Sequence, residues 1–191
     1  AGVVLEDGRV VPGAAVAANV NPKLLYTKMV PESELDPAFL RRMRGWRCGS
    51  GTFRINVALS ELPSFSALPG RDLRDHHTAG IILGPSLGYM DRAYCDARQF
   101  GWSREPIIEM VIASTLDDTL APPGAHVASL FCQHVAPVLP DGSAWNDHRE
   151  RVADLMIDTV DRYAPGFKTS VLGRQAVSPF YLEQVFGLTG G

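Results

Sequence analysis

Gly51-Thr52-Phe53-Arg54-Ile55-Asn56-Val57-Ala58-Leu59 decides the fold. Phe53, Ile55, Val57 and Leu59 point one way while Arg54, Asn56 and Ala58 point the other, the period of a strand with one buried face. Downstream, Ile81–Leu83 is a short apolar strand, and residues 107–114 are apolar on both faces except for Glu109, which predicts a central strand. His126–Val135 and residues 170–177 supply two more. The clearest helix is predicted over residues 147–163, where Val152, Leu155, Met156, Thr159, Val160 and Tyr163 recur at helical spacing until Pro165-Gly166 stops it. Ser86 is placed to cap a helix that buries Leu87, Met90, Tyr94 and Ala97, and Ser178-Pro179 opens a last short helix ending at Gly187. The expected class is α+β, with a mixed, largely antiparallel sheet of about four to six strands and helices packed on one face.

Upstream of the deciding strand, Asn21-Pro22 and Asp36-Pro37 each place a capping side chain before proline at the first helical position. The first helix would carry Leu24, Leu25 and Met29; the second would carry Phe39, Leu40 and Met43 before Gly45 ends it. Earlier still, Val3-Val4-Leu5 and Val10-Val11 flank the turn Glu6-Asp7-Gly8-Arg9, a hairpin pattern, and Ala14-Ala15-Val16-Ala17-Ala18-Asn19 reads as a small-residue strand. Nothing further upstream supplies strands for this segment to pair with, so the reading expects exposed edges and self-association into a homo-oligomer.

With 46% hydrophobic and 20% charged residues, the chain of 191 residues has the composition of a globular domain with its own core. The 18 Lys and Arg against 21 Asp and Glu give a formal net charge of -3, no electrostatic argument for a nucleic-acid or anionic-membrane partner. Arg41, Arg42, Arg44 and Arg47 spread around a short helix as a solvated face. Cys48, Cys95 and Cys132 form no Cys-x-x-Cys pair and suit a reducing compartment. No apolar stretch reaches the roughly 18 residues that span a bilayer, and a cytoplasmic location is expected.

Gly84-Pro85-Ser86-Leu87-Gly88 matches Gly-x-Ser-x-Gly between a predicted strand and helix, with Asp117 or Asp118 and then His126, His134 or His148 following in hydrolase order. Too few strands precede Ser86 for an α/β-hydrolase sheet, no His-Gly-Gly-Gly segment exists, and capping alone explains a serine there. His76-His77, with Asp72 and Asp75 nearby, reads as a solvated loop rather than a metal site, because adjacent histidines point apart. No metal ligands are assigned. Glu109, a carboxylate in an apolar strand, is expected to pair with an arginine such as Arg54. No Gly-x-Gly-x-x-Gly and no Gly-x-x-x-x-Gly-Lys-Ser/Thr occurs.

Leu5-Glu6-Asp7-Gly8, residues 14–22 and 51–59, Ser103-Arg104-Glu105-Pro106 and Phe186-Gly187-Leu188-Thr189-Gly190-Gly191, taken in order, resemble the middle and later part of phytoene dehydrogenase-like flavoproteins. These are FAD-dependent oxidoreductases grouped with carotenoid desaturases, and the likeness is greatest to their branch of pyridine nucleotide-disulfide oxidoreductase domain proteins. The resemblance implies that residues 1–21 are the last hairpin and return strand of an FAD-binding domain. It further implies that residues 22–187 are a substrate-binding domain for an apolar small molecule, and that residues 188–191 begin a second FAD-contacting segment. Asn19, Thr189, Gly190 and Gly191 would then lie near the flavin. No residue of the chain is implied to do the chemistry, and the chain alone is expected to be inactive and to bind no FAD. A self-sufficient apolar-ligand module and a serine hydrolase using Ser86 are the rival expectations.

Overall fold

The computed structural model describes residues 2–49 and 51–191. They fall into two compact units, Ala1–Arg47 and Cys48–Gly191.

In the first unit, β1 (Gly2–Val4) and β2 (Val10–Pro12) form an antiparallel hairpin, with Val3 opposite Val11. The turn is closed by Gly8 N–H donating to Leu5 O and Leu5 N–H donating to Arg9 O, both at 2.9 Å. Gly8 supplies the φ of 83° that this turn needs. The strand expected over residues 14–19 does not form: the segment is irregular and exposed. Alanine side chains bury too little area to hold a pleated surface, and among the described residues β1 and β2 pair only with each other. Both capping pairs act as read. Asn21 Oδ1 accepts from Lys23 N–H at 2.8 Å to start α1 (Pro22–Leu24), which runs on as a π-helical turn, Leu25–Met29. Asp36 Oδ1 accepts from Phe39 N–H at 2.8 Å to start α2 (Pro37–Gly45). Tyr26 and Phe39 meet edge to face at 4.8 Å, and Leu40 is the buried residue of α2.

The second unit runs β3 (Gly51–Leu59), α3 (Asp75–Thr78), β4 (Ile81–Leu83), α4 (Leu87–Phe100), β5 (Trp102–Val111), β6 (His126–Val135), α5 (Trp145–Tyr163), α6 (Phe167–Ser170), β7 (Val171–Val177) and α7 (Pro179–Phe186). Its sheet has the order β4-β5-β6-β3-β7, every neighbouring pair antiparallel, which is the expected α+β class. Phe53, Ile55, Val57 and Leu59 of β3 join Ile108 and Met110 of β5 and Ala128, Leu130 and Cys132 of β6 on the buried face. Val152, Ala153, Met156, Ile157 and Val160 of α5 close over them. Burial pushes the Cys132 thiol well above its ordinary range, so it is an inert core residue.

α4 starts where expected, with Ser86 Oγ accepting from Tyr89 N–H at 3.2 Å, but of the expected stripe it buries only Ala97. Tyr89, Ala93 and Ala97 are inside, whereas Leu87 is 85% exposed and Met90 and Tyr94 also face solvent. Both stripes are apolar at helical spacing. The winning one lets two alanines approach β5 closely and gives the Tyr89 hydroxyl a buried acceptor, Pro106 O, at 2.8 Å. Desolvation, followed by the neighbouring Tyr163, pushes Tyr89 up to about 12, so it stays a protonated donor.

Candidate functional site

The register lays out the uncovered face of the sheet in rows. Ile82, Glu109, Phe131, Arg54 and Val177 stand side by side across all five strands, and the next row holds Val111, Ser129, Asn56 and Gln175. These positions alternate with the core residues, so the floor they form is on the side that α5 does not cover. Tyr89 and Ala93 of α4 pack on Ile107 at one part of this face. At the β7 end, α7 stands over Arg54, Asn56, Gln175 and Val177, and its Tyr181, Leu182 and Phe186, with Leu188, complete a hollow of about 380 Å³.

Polar groups on the floor bond to one another, with no ion pair among them. Arg54 Nη1 donates to Ser129 Oγ at 3.1 Å, and the guanidinium carbon lies 5.5 Å from the centre of the Phe131 ring. Asn56 Nδ2 donates to Gln175 Oε1 at 3.3 Å. Gln133 Nε2 donates to Glu109 Oε1 at 2.9 Å, which corrects the expected pairing of Glu109 with Arg54. The two share a row but are two strands apart, about 10 Å, with Phe131 between them. Glu109 is also exposed rather than buried, so its charge needs no buried partner.

A second hollow, about 440 Å³, opens at the β4 edge of the sheet and is lined by Phe65, Leu68, His76, Ile81, Leu83 and Tyr163 among others. It is mainly apolar, with Arg162 the cation on its wall.

The histidines are scattered over four sites. His77 is fully buried, not part of a solvated loop as expected: its Nδ1 accepts from Arg74 N–H at 3.2 Å and its Nε2 donates to Pro63 O at 3.0 Å. His76 stacks on it, ring centres 3.9 Å apart. His126 Nδ1 lies 3.4 Å from Ser114 Oγ, His134 meets Tyr94 edge to face at 5.5 Å, and His148 Nε2 lies 2.9 Å from Ser143 Oγ. Among the described residues, no group of three or more His, Cys, Asp or Glu could hold a metal. Among the described residues, no histidine or carboxylate bonds to Ser86, whose oxygen accepts the α4 cap bond, while Asp117 turns to Thr119, so the serine-hydrolase expectation is withdrawn.

Desolvation holds His76, His126 and His134 below the ordinary histidine range, with the neighbouring His77 ring adding to the effect at His76 and His126. The unfolded chain protonates these rings at about 6.5, before the native chain does, so acid favours unfolding. Their stabilising contribution is fully present above about pH 6.5 and is lost as pH falls through the lower native values. The urea midpoint is therefore expected to be lower at about pH 5.5 than at about pH 7.5, and replacing all three by glutamine should flatten that difference. An unchanged slope in the triple variant rules out this cause.

Asn19 lies exposed in the irregular segment of the first unit, and Thr189, Gly190 and Gly191 lie at the end of the second. Gly190 N–H donates to Glu183 Oε1 at 3.3 Å and Gly191 N–H to Leu188 O at 3.0 Å. A Cβ on Gly190 would stand 2.6 Å from Cys48 O, and one on Gly191 would stand 2.3 Å from Pro179 O. Both glycines are thus required by the chain's own backbone, and their amides are already spent.

No family model matches the chain. Among curated proteins it is 38% identical over 195 residues to pyridine nucleotide-disulfide oxidoreductase domain-containing protein 2 of Mus musculus. The same identity and length hold for the protein of that name from Rattus norvegicus. The chain is related to a protein named for an oxidoreductase domain. Each alignment takes in 100% of this chain and 34% of the relative, so the chain spans about a third of the length of the curated relatives it matches. That relationship agrees with the branch picked out from the ordered sequence segments.

The floor residues Phe131, Ser129 and Gln175 carried no signal of their own in the sequence. Alternation separates Arg54 and Asn56 from the core, but only the register across five strands brings the others beside them.

Proposed function

We propose that this chain is the substrate-binding region of an FAD-dependent, phytoene dehydrogenase-like oxidoreductase whose substrate has an apolar body. The observation that carries the reading is the sheet with α5 sealing one face and the other face left as a floor between α4 and α7. A sheet covered on one side needs no second ligand-free layer to be stable, and its open side is available as one wall of a substrate cavity. The 38% identity to proteins named for an oxidoreductase domain supports the same assignment.

When bound, a flavin supplies the hydride-accepting chemistry. In this proposal its main grip comes from sequence outside this chain, with Asn19, Thr189, Gly190 and Gly191 at its margin. The chain's own residues do the rest: the apolar side chains of α7 exclude water, and the floor orients the substrate.

The test is the visible spectrum of the whole protein that contains this chain. A yellow preparation whose flavin absorption bleaches on reduction is expected, with the isolated chain colourless under the same conditions. A colourless whole protein that takes up no added FAD removes the oxidoreductase reading.

A second reading, a self-sufficient binding module for an apolar ligand, is favoured by the 440 Å³ apolar hollow at the β4 edge of the sheet. Thermal stabilisation of the chain by hydrophobic compounds, abolished by Leu83→Asp and indifferent to FAD, would support it over the first.

A further inference from the structure

We infer that the hollow between α7 and the sheet takes an amphiphilic carboxylate, with the anionic head on Arg54 and the hydrocarbon body along α7. As a statement about substrate this rests on the reading of the open face given above; as a statement about binding it stands on the geometry alone.

The two walls of the hollow differ in chemistry. Arg54, Asn56 and Gln175 of the sheet make the polar wall, with Val177 beside them, while Leu182, Phe186 and Leu188 make the apolar one. Its volume of about 380 Å³ is in the range of small-molecule sites, about 300–1,000 Å³.

Among the described residues that line it, Arg54 is the ionic one. Among the described residues, Arg71, Arg92, Arg104, Arg149, Arg162 and Arg174 of the same unit have acidic partners, while Arg74, Arg98 and Arg151, like Arg54, form no ion pair, and none of those three lines the hollow. Among the described residues, no carboxylate is within ion-pair reach of Arg54. Its hydrogen bond to Ser129 uses Nη1 and a neutral hydroxyl, and Phe131 supports the guanidinium from the side. The fork of a guanidinium has five N–H donors, so most remain for a ligand.

The two amides add to the same bias. Asn56 gives one N–H to Gln175 Oε1 and retains another, while the Gln175 amide retains both. A wall rich in donors and carrying a positive charge matches a group that only accepts, and an ionised carboxylate is such a group. A hydrocarbon without a polar head would leave these donors covered and unpaired, which costs affinity.

The opposite wall calls for the apolar body. Phe186, the last residue of α7, is 64% exposed, and Leu188, just past the helix's Gly187 cap, is 49% exposed. A hydrocarbon chain lying in the hollow would cover both.

The test compares octanoate with octan-1-ol, two probes of equal chain length, titrated into the chain and followed by amide NMR shifts of residues 54–56 and 175–188. Octanoate is expected to bind at least about tenfold more tightly, the scale of a charge-assisted hydrogen bond. Arg54→Gln should reduce octanoate to the affinity of octan-1-ol while leaving octan-1-ol unchanged, Arg54→Lys should restore part of the preference, and Leu182→Ala should weaken both probes. Arg54 is exposed and outside the core, so an unchanged thermal melt is expected for its variants and shows that they are folded. Equal affinities in the unaltered chain, no saturable binding of octanoate, or a preference that survives Arg54→Gln overturns the inference. A whole protein that lacks flavin but binds octanoate through Arg54 keeps this inference and loses the oxidoreductase reading. A flavin-containing protein without the octanoate preference does the reverse.

Discussion

Replacing Phe53 by alanine is expected to lower the stability of the second unit by about 3–5 kcal/mol, read as a fall in the urea midpoint with little change in slope. Phe53 is completely buried in β3, and its ring centre lies 5.7 Å from that of Trp145, the first residue of α5. Trp145 cannot move in to fill the void. Its Nε1–H donates to both Ala136 O and Pro137 O, at 3.0 and 3.1 Å, and its ring also meets Trp102 at 6.0 Å. A site that cannot collapse keeps the whole cavity term, which places the loss in the upper part of the range. Against a typical domain stability of about 5–15 kcal/mol, that is a large fraction. Ile55→Val, one position along the same face, should cost only about 0.5–1.5 kcal/mol. If Phe53→Ala falls within that smaller range, the bond between the sheet and α5 does not run through this contact.

The same residue shows why the second unit was legible. In β3 the alternation of Phe53, Ile55, Val57 and Leu59 with polar neighbours is strict, and the bounds Gly51–Leu59 follow from it. The bounds of β6, His126–Val135, are also as read, and β7 and α5 differ by one or two residues at their starts. Punctuation served equally well: Asn21, Asp36, Ser86 and Ser178 each accept a hydrogen bond at the helix start they were read to cap.

Failures occurred where two local readings tied and a distant contact decided. In α4 the stripes beginning at Leu87 and at Tyr89 are both apolar at helical spacing, and Pro106 O, in the next strand, chose Tyr89. His77 sits in a segment rich in proline, glycine and charge, yet Pro63 O and Arg74 N–H, from the same loop, fold around it and remove it from solvent. Residues 14–19 have the look of a strand only if a partner exists, and β1 and β2 offer none.

Site residues were harder to read than the fold for a related reason. Arg54 could be assigned to the open face from β3 alone, but its isolation from Glu109 depends on Phe131 standing between them in β6. Charge pairing is a property of register, and a one-residue slip would have reversed every side chain involved. The ordered series of segments gave the relationship that 38% identity supports, because that signal is spread along the chain and needs no register.

Gly101→Ala is the second large loss expected, about 2–5 kcal/mol, and it has two separable causes. Gly101 ends α4 at a φ of 94°, where an L side chain costs about 1–2 kcal/mol. A Cβ there would also stand 2.6 Å from Leu139 Cδ2 and 3.2 Å from Pro140 Cδ, and overpacking of that kind typically costs about 1–3 kcal/mol. Leu139 is a buried core residue and Pro140 is rigid, so neither neighbour has an easy way out. The backbone is pinned as well, since Gly101 N–H donates to Ala97 O at 3.0 Å and Gly101 O accepts from Ala136 N–H at 2.7 Å. Gly124→Ala separates the causes: its φ is 84°, but nothing lies within 4 Å of its Cβ position, so only the conformational cost applies. Chemical denaturation of both variants should show Gly101→Ala the more damaging by at least about 1 kcal/mol. Equal losses would mean that Leu139 yields and that the junction of α4 with β6 is looser than its hydrogen bonds imply.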